Sequence, residues 1–102
     1  MLPNTTAEQR AAALAKAAEA RRRRAEVKEL LSTGSLTLAE VFVRSETDEV
    51  LAGTKIVPIV GSLPGMGKVT TKRLLEELGI SEAKRIRGLG TRQREALLAR
   101  LS

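Results

Sequence analysis

Cysteine and histidine are both missing from the 102 residues. Disulfides, cysteine nucleophiles, histidine general bases and the usual zinc sites are excluded together. Tryptophan and tyrosine are also absent, and Phe42 is the single aromatic residue. Single-strand binding by base stacking has no platform in such a chain. A core of Leu, Val, Ile and Ala suits small helices better than a β-sandwich, because strands favour aromatic and β-branched residues. No apolar run approaches the ~20 residues of a membrane span, and the first residues hold no apolar signal core. No membrane partner and a cytoplasmic location are expected. A carboxylate pair or a Ser–Lys pair remains formally available. Glu76 and Glu77 are adjacent, however, so on a helix they point about 100° apart. No enzymatic activity, cofactor or metal is expected.

What the chain does have is positive charge. The net charge is +6, with a pI near 10.5. Its distribution is uneven. Residues 1–33 carry 7 basic and 4 acidic side chains, residues 34–62 carry 2 and 4, and residues 63–102 carry 9 and 4. Both ends are therefore basic around a mildly acidic middle, and a polyanion is the natural partner. A basic surface that merely keeps helices soluble is the plainer alternative.

The length implies one domain. Within it, residues 1–33 read as a basic helical arm and residues 34–102 as a compact helical body. Thr6 and Gln9 form a capping box at the start of the arm, and Gly34 stops it. Its apolar anchor, Val27, Leu30 and Leu31, lies at the far end and only Leu14 is large nearer the start, so the first half is expected to project from the body. Arg21, Arg22, Arg23 and Arg24 span slightly more than one turn and cannot share one face. They are candidate phosphate contacts, or else solvated partners of nearby glutamates.

The body reads as a series of short helices. Thr37 and Glu40 box the first, with Leu38, Val41 and Phe42 inward. Ser45 is expected to cap a second that ends at Gly53. A third is expected from about Val57, with Pro58 tolerated in its first turn. A fourth spans KVTTKRLLEELGI, with Val69, Leu74, Leu75 and Leu78 as its apolar positions and Gly79 as its stop. ISEAKRIRGLG is expected to form a short helix begun by Ser81, followed by a turn. The last helix is expected to be capped by Thr91, with Leu97, Leu98 and Leu101 inward. Two segments repeat at an offset of 23. Gly65-Met66-Gly67 matches Gly88-Leu89-Gly90, and the three leucines after each also match.

Residues 63–68, LPGMGK, carry the sharpest chemical signal. Two glycines followed by lysine suggest backbone amides offered to a phosphate. A nucleotide P-loop needs four residues between its first Gly and the Gly-Lys, then Ser or Thr for magnesium. Here five residues separate Gly61 from Gly67, and Val69 follows Lys68. A dinucleotide fingerprint fails because Thr70 stands where its third Gly belongs. The pattern fits a helical hairpin instead. Glycines allow a tight turn, free N–H groups at the next helix start face outward, and the helix dipole favours an anion there. Met66 would plug the turn onto the body.

Taken together, helix, LPGMGK and helix resemble the helix-hairpin-helix DNA-binding motifs and the helix-two-turns-helix of small-subunit ribosomal protein S13. The resemblance extends further. EQRAAALAKAAEARRRRAEVK, SETDEVLAG, LPGMGKVTTKRLLEELGI and RIRGLGTRQREALL are similar to the actinobacterial integration host factor family. That likeness implies an all-α fold, with a long N-terminal helix projecting from a small S13-like bundle. It also implies a nucleoid-associated protein that binds double-stranded DNA with weak sequence preference. Such a protein constrains or bends DNA and can assist phage integrase complexes. A monomer is expected. Carried over by position, the likeness places DNA contacts at Gly65, Gly67, Lys68, Thr70, Thr71 and Lys72 in the hairpin. A second group is Lys84, Arg85, Arg87, Gly88, Gly90 and Arg92, with Lys55 as a further contact.

Two other readings stay open on the residues alone. The same motif could serve an RNA-binding or ribosome-associated protein. The long helix could instead pair with a protein partner, although its apolar stripe is weak before Val27.

Overall fold

The computed structural model describes residues 6–101. The first five residues of the expected arm and Ser102 of the expected body lie outside them. Six α-helices and one 3-10 turn follow in order: α1 Ala7–Ser32, α2 Leu38–Ser45, α3 Glu49–Ala52, α4 Ile56–Gly61, α5 Lys68–Glu77, the turn Ile86–Gly88 and α6 Thr91–Leu101.

Helix α1 opens with the expected capping box, in which the Gln9 N–H donates to Thr6 Oγ1 and the Thr6 N–H to Gln9 Oε1. Its 26 residues span about 39 Å. Every residue from Ala7 to Glu19 is exposed, so the first half buries no side chain on the body. The far end packs on α3 and α4 through Val27 and Leu31. Leu30, expected beside them, is instead 37% exposed. Burial of two such side chains contributes about 1.5–3 kcal/mol each, which anchors the C-terminal half alone. The outline of 48 × 29 × 26 Å reflects that projection. Gly34, at φ +79, closes the helix in the left-handed conformation that glycine adopts without strain.

In α2 the Glu40 N–H donates to Thr37 Oγ1, and the Glu40 carboxylate accepts from the Thr37 N–H and hydroxyl. The backbone donor first, and the hydroxyl second, hold the Glu40 carboxyl below its usual pKa. The next cap differs from expectation. Ser45 is still inside α2, buried, and its hydroxyl donates to the Phe42 carbonyl at 2.7 Å. The α2 turn runs on through Thr47, so Asp48 caps α3, accepting from the Val50 and Leu51 N–H groups. Helix α4 begins at Ile56, one residue early, and holds Pro58 in its first turn, where no intrahelical donor is needed.

The core gathers Leu31, Val41, Ile56, Ile59, Val60, Leu75, Ile86 and Leu97. In α5 the buried positions are Thr71, Leu74 and Leu75, while Val69 is 69% exposed. Thr71, Leu74, Leu75 and Leu78 recur at i, i+3, i+4 and i+7 and form the inward stripe. Val69 falls outside that stripe, so threonine takes the place expected of valine.

The expected helix at Ser81 does not form. The Ala83 N–H bonds Ser81 Oγ in a local turn, and Arg85 is extended. The reason is pairing. The Ile56 N–H donates to the Lys84 carbonyl and the Ile86 N–H to the Thr54 carbonyl, both at 2.9 Å. This single bridge between Lys55 and Arg85 fixes the 3-10 turn on the body. Arg94 reinforces it by donating to the Ile86 carbonyl at 3.1 Å, with its guanidinium 5.5 Å from the centre of the Phe42 ring. Among the described residues no helix is long and apolar enough to cross a membrane.

Candidate nucleic-acid interface

The hairpin between α4 and α5 is built by three local facts. The Met66 N–H donates to the Leu63 carbonyl at 3.0 Å and closes the turn. Gly65 sits at φ +80, which an L side chain rarely adopts. Met66 then packs against the core and fastens the turn to the body. The chain leaves the hairpin extended at Gly67, and α5 starts with no side-chain cap.

That missing cap decides the chemistry. The amides of Gly67, Lys68, Val69 and Thr70 have no hydrogen-bond partner among the described residues, and the first helical bond is from the Thr71 N–H to the Gly67 carbonyl. These donors stand at the positive end of the α5 dipole. A Cβ built on Gly67 would meet nothing within 4 Å, so the approach to them is open. Gly65, Gly67, Lys68, Thr70 and Lys72 are all exposed around this end. Lys72 lies 3.9 Å from Glu82, an exposed pair worth about 0–1 kcal/mol that leaves it available. Thr71 departs from expectation, because it is wholly buried on the inward stripe.

The second group is more engaged with the fold itself. Lys84 is half-buried and donates to the Gly88 carbonyl at 3.2 Å. The Arg85 guanidinium donates to the Gly53 carbonyl. Arg87, Gly88, Gly90 and Arg92 are exposed, and the bridge sets exposed Lys55 directly opposite Arg85. Lys84 and Arg85 thus hold the turn as well as carrying charge. Helix α6 is capped by backbone geometry at Gly90 and not by Thr91, which is its first residue. The Gly90 N–H donates to Gln93 Oε1, and the Arg94 N–H to the Gly90 carbonyl, each at 3.0 Å.

The arginine run on α1 divides. Arg22 pairs with Glu19, and Arg23 pairs with Asp48 of the body. Arg24 is half-buried, while Arg21 is exposed and has no partner among the described residues. Arg23 is therefore a tether for the arm. Asp48 was not singled out from sequence, although Asp before a short apolar helix is a recognisable capping signal. Lys28 was also missed. It flanks the stripe of Ala20, Arg24, Val27 and Leu31 that faces the body, and it lines a depression shared with the start of α5. No group of three His, Cys, Asp or Glu side chains among the described residues could hold a metal ion.

Comparison with known proteins adds to this geometry. The S13-like H2TH domain family matches residues 31–101. A protein named integration host factor from Mycolicibacterium smegmatis is 52% identical over 97 residues, covering 95% of this chain and 92% of that one. One of the same name from Mycobacterium tuberculosis is 50% identical with the same coverage. The Streptomyces coelicolor protein of that name is 51% identical over 92 residues, covering 90% and 86%. Among solved structures, sIHF bound to an 8 bp palindromic DNA superimposes with a TM-score of 0.83 at 44% identity, covering 85% of this chain and 98% of that one.

Proposed function

Because this chain belongs to the integration host factor family of mycobacteria and Streptomyces, built on an S13-like H2TH domain, we propose that it binds double-stranded DNA as a nucleoid-associated protein. The observation that carries the proposal is the open N-terminus of α5, with four unpartnered amides beside Lys68. The protein does no catalysis. It holds phosphates, reads little sequence, and constrains or bends the duplex, in company with phage integrase where integration is served.

In this reading Gly65, Gly67, Lys68, Thr70 and Lys72 receive one stretch of backbone. Lys55, Lys84, Arg85, Arg87, Gly88, Gly90 and Arg92 form a second positive surface, and Arg21 is a further candidate contact on the arm. The residues 1–33 act as an arm on a body of residues 34–102. With five to eight phosphates neutralised, the log–log salt slope is about 0.9 unit per contact. Fluorescence anisotropy with one random-sequence DNA duplex and its RNA counterpart, across a salt series, tests the proposal. Tight DNA binding with a steep slope and weak RNA binding is expected. Equal or stronger RNA binding would move the function to structured RNA. No binding to either at low salt would remove the nucleic-acid reading.

A further inference from the structure

A depression beside the hairpin is lined by Lys28 of α1, Pro58, Gly61 and Ser62 of the α4 end, and Lys68 and Thr71 of α5. Three features set it apart from an ordinary surface hollow. Two lysines from different helices line it, and no acidic residue does. Glu29 lines the adjoining groove against Pro64 and Met66. The Thr71 hydroxyl is completely buried and has no hydrogen-bond partner. A buried hydroxyl without a hydrogen-bond partner is unfavourable, which sets Thr71 apart from the rest of the core. Finally, Gly61 lies beside the hydroxyl with no side chain of its own. A Cβ at Gly61 would lie 3.5 Å from Thr71 Oγ1, an ordinary contact. Glycine there is not demanded by backbone conformation, since Gly61 is helical and absent from the positive-φ glycines.

We propose that this seam between α1, α4 and α5 is a phosphate site, in which Lys28 and Lys68 clamp one DNA phosphodiester above the Thr71 hydroxyl. The proposal rests on the duplex-binding reading and deepens it. It adds the base of the arm to the hairpin's contacts, through a residue outside the hairpin motif. Because Val27 and Leu31 bury α1 on the body next to Lys28, the direction of the arm is then fixed relative to the bound strand.

Three substitutions test the site. Lys28→Gln removes one charge and is expected to flatten the salt slope by about 0.9 unit. Gly61→Ala fills the depression with a methyl. It is expected to leave the melting temperature unchanged or higher, since Ala favours helix, while weakening duplex binding about tenfold. Thr71→Val removes the unpartnered hydroxyl at constant shape, and is expected to weaken binding without lowering the melting temperature. Lys68→Gln is the reference for the hairpin itself. A slope lost in Lys68→Gln but unchanged in Lys28→Gln and Gly61→Ala would overturn the clamp and leave DNA binding by the hairpin intact. A wild-type chain that fails to bind duplex would instead sink the broader reading. Inorganic phosphate alone, followed by amide NMR shifts at Gly61, Ser62 and Thr71, separates the ligand sources. Saturable millimolar shifts lost in Lys28→Gln, without duplex binding, would overturn the DNA assignment in favour of a free-phosphate site. A melting temperature lowered by Thr71→Val would show that the hydroxyl serves the fold, and would overturn its role.

Discussion

The two Gly-x-Gly turns share a side-chain pattern and differ in backbone. Met66 and Leu89 both tuck inward, and the leucines at 74, 75 and 78 pack as those at 97, 98 and 101 do. Yet Gly65 is left-handed, and its partner Gly88 ends a 3-10 turn with negative φ. The first helix start has all its leading amides free. The second satisfies the Gly90 amide from within, through Gln93. The Lys84 ammonium likewise closes on Gly88, while Lys68 has no such bond among the described residues. A repeat legible in leucines therefore does not make two equal anion sites. The hairpin before α5 is the open one, and the turn before α6 spends part of its polar capacity on itself.

The largest expected effect tests that asymmetry directly. Gly67 is extended at φ −135, ψ −175, a conformation any residue adopts, and its Cβ would enter open space. Gly67→Val should thus fold normally and lose duplex affinity tenfold or more, about 1.4 kcal/mol per factor of ten. Gly90→Val should lose clearly less. Circular dichroism and anisotropy on the same samples check both. Next, Arg85→Ala with Arg87→Ala should weaken all duplex sequences about equally and reduce the salt slope by up to roughly two contacts. A loss confined to one sequence would instead indicate base reading. Gly65→Ala should cost roughly 1–2 kcal/mol in denaturant unfolding, because it places a Cβ in the left-handed region. Gln93→Ala should cost only about 0.5 kcal/mol and leave DNA affinity unchanged or slightly raised, since it frees the Gly90 amide without removing a charge.

The smallest effect is a pH dependence. The folded pKa of Glu40 lies below 4.5, so its contribution is present above the unfolded value and fades as pH falls through the folded one. Glu40→Gln should make that acid limb of the melting curve shallower.

Much of this architecture is legible in the sequence itself. The order of helices, the Thr6 and Thr37 caps, the stop at Gly34 and the projecting arm all follow from local chemistry. The misses share a cause, which is tertiary context. Ser45 looked like a cap because Ser favours that role, but α2 runs one turn further and leaves the role to Asp48. Val69 looked inward because it is apolar, whereas the stripe set by Leu74, Leu75 and Leu78 selects Thr71. The segment after Ser81 has helical composition, but pairing of Lys84 and Ile86 with Ile56 and Thr54 draws it out. For the interface, the hairpin was legible because glycine spacing encodes it. The tether between Arg23 and Asp48, and the position of Lys28 next to Lys68, join residues 25 and 40 apart in the chain, which no local pattern reports.

The most direct test of the open hairpin is an amide NMR titration of the intact chain with a short DNA duplex. The Gly67, Lys68, Val69 and Thr70 amides are expected to shift first and furthest, ahead of those of Thr91, Arg92 and Gln93. Saturable binding that leaves the Gly67–Thr70 amides unmoved would contradict that expectation, and would place the DNA on another face of the protein.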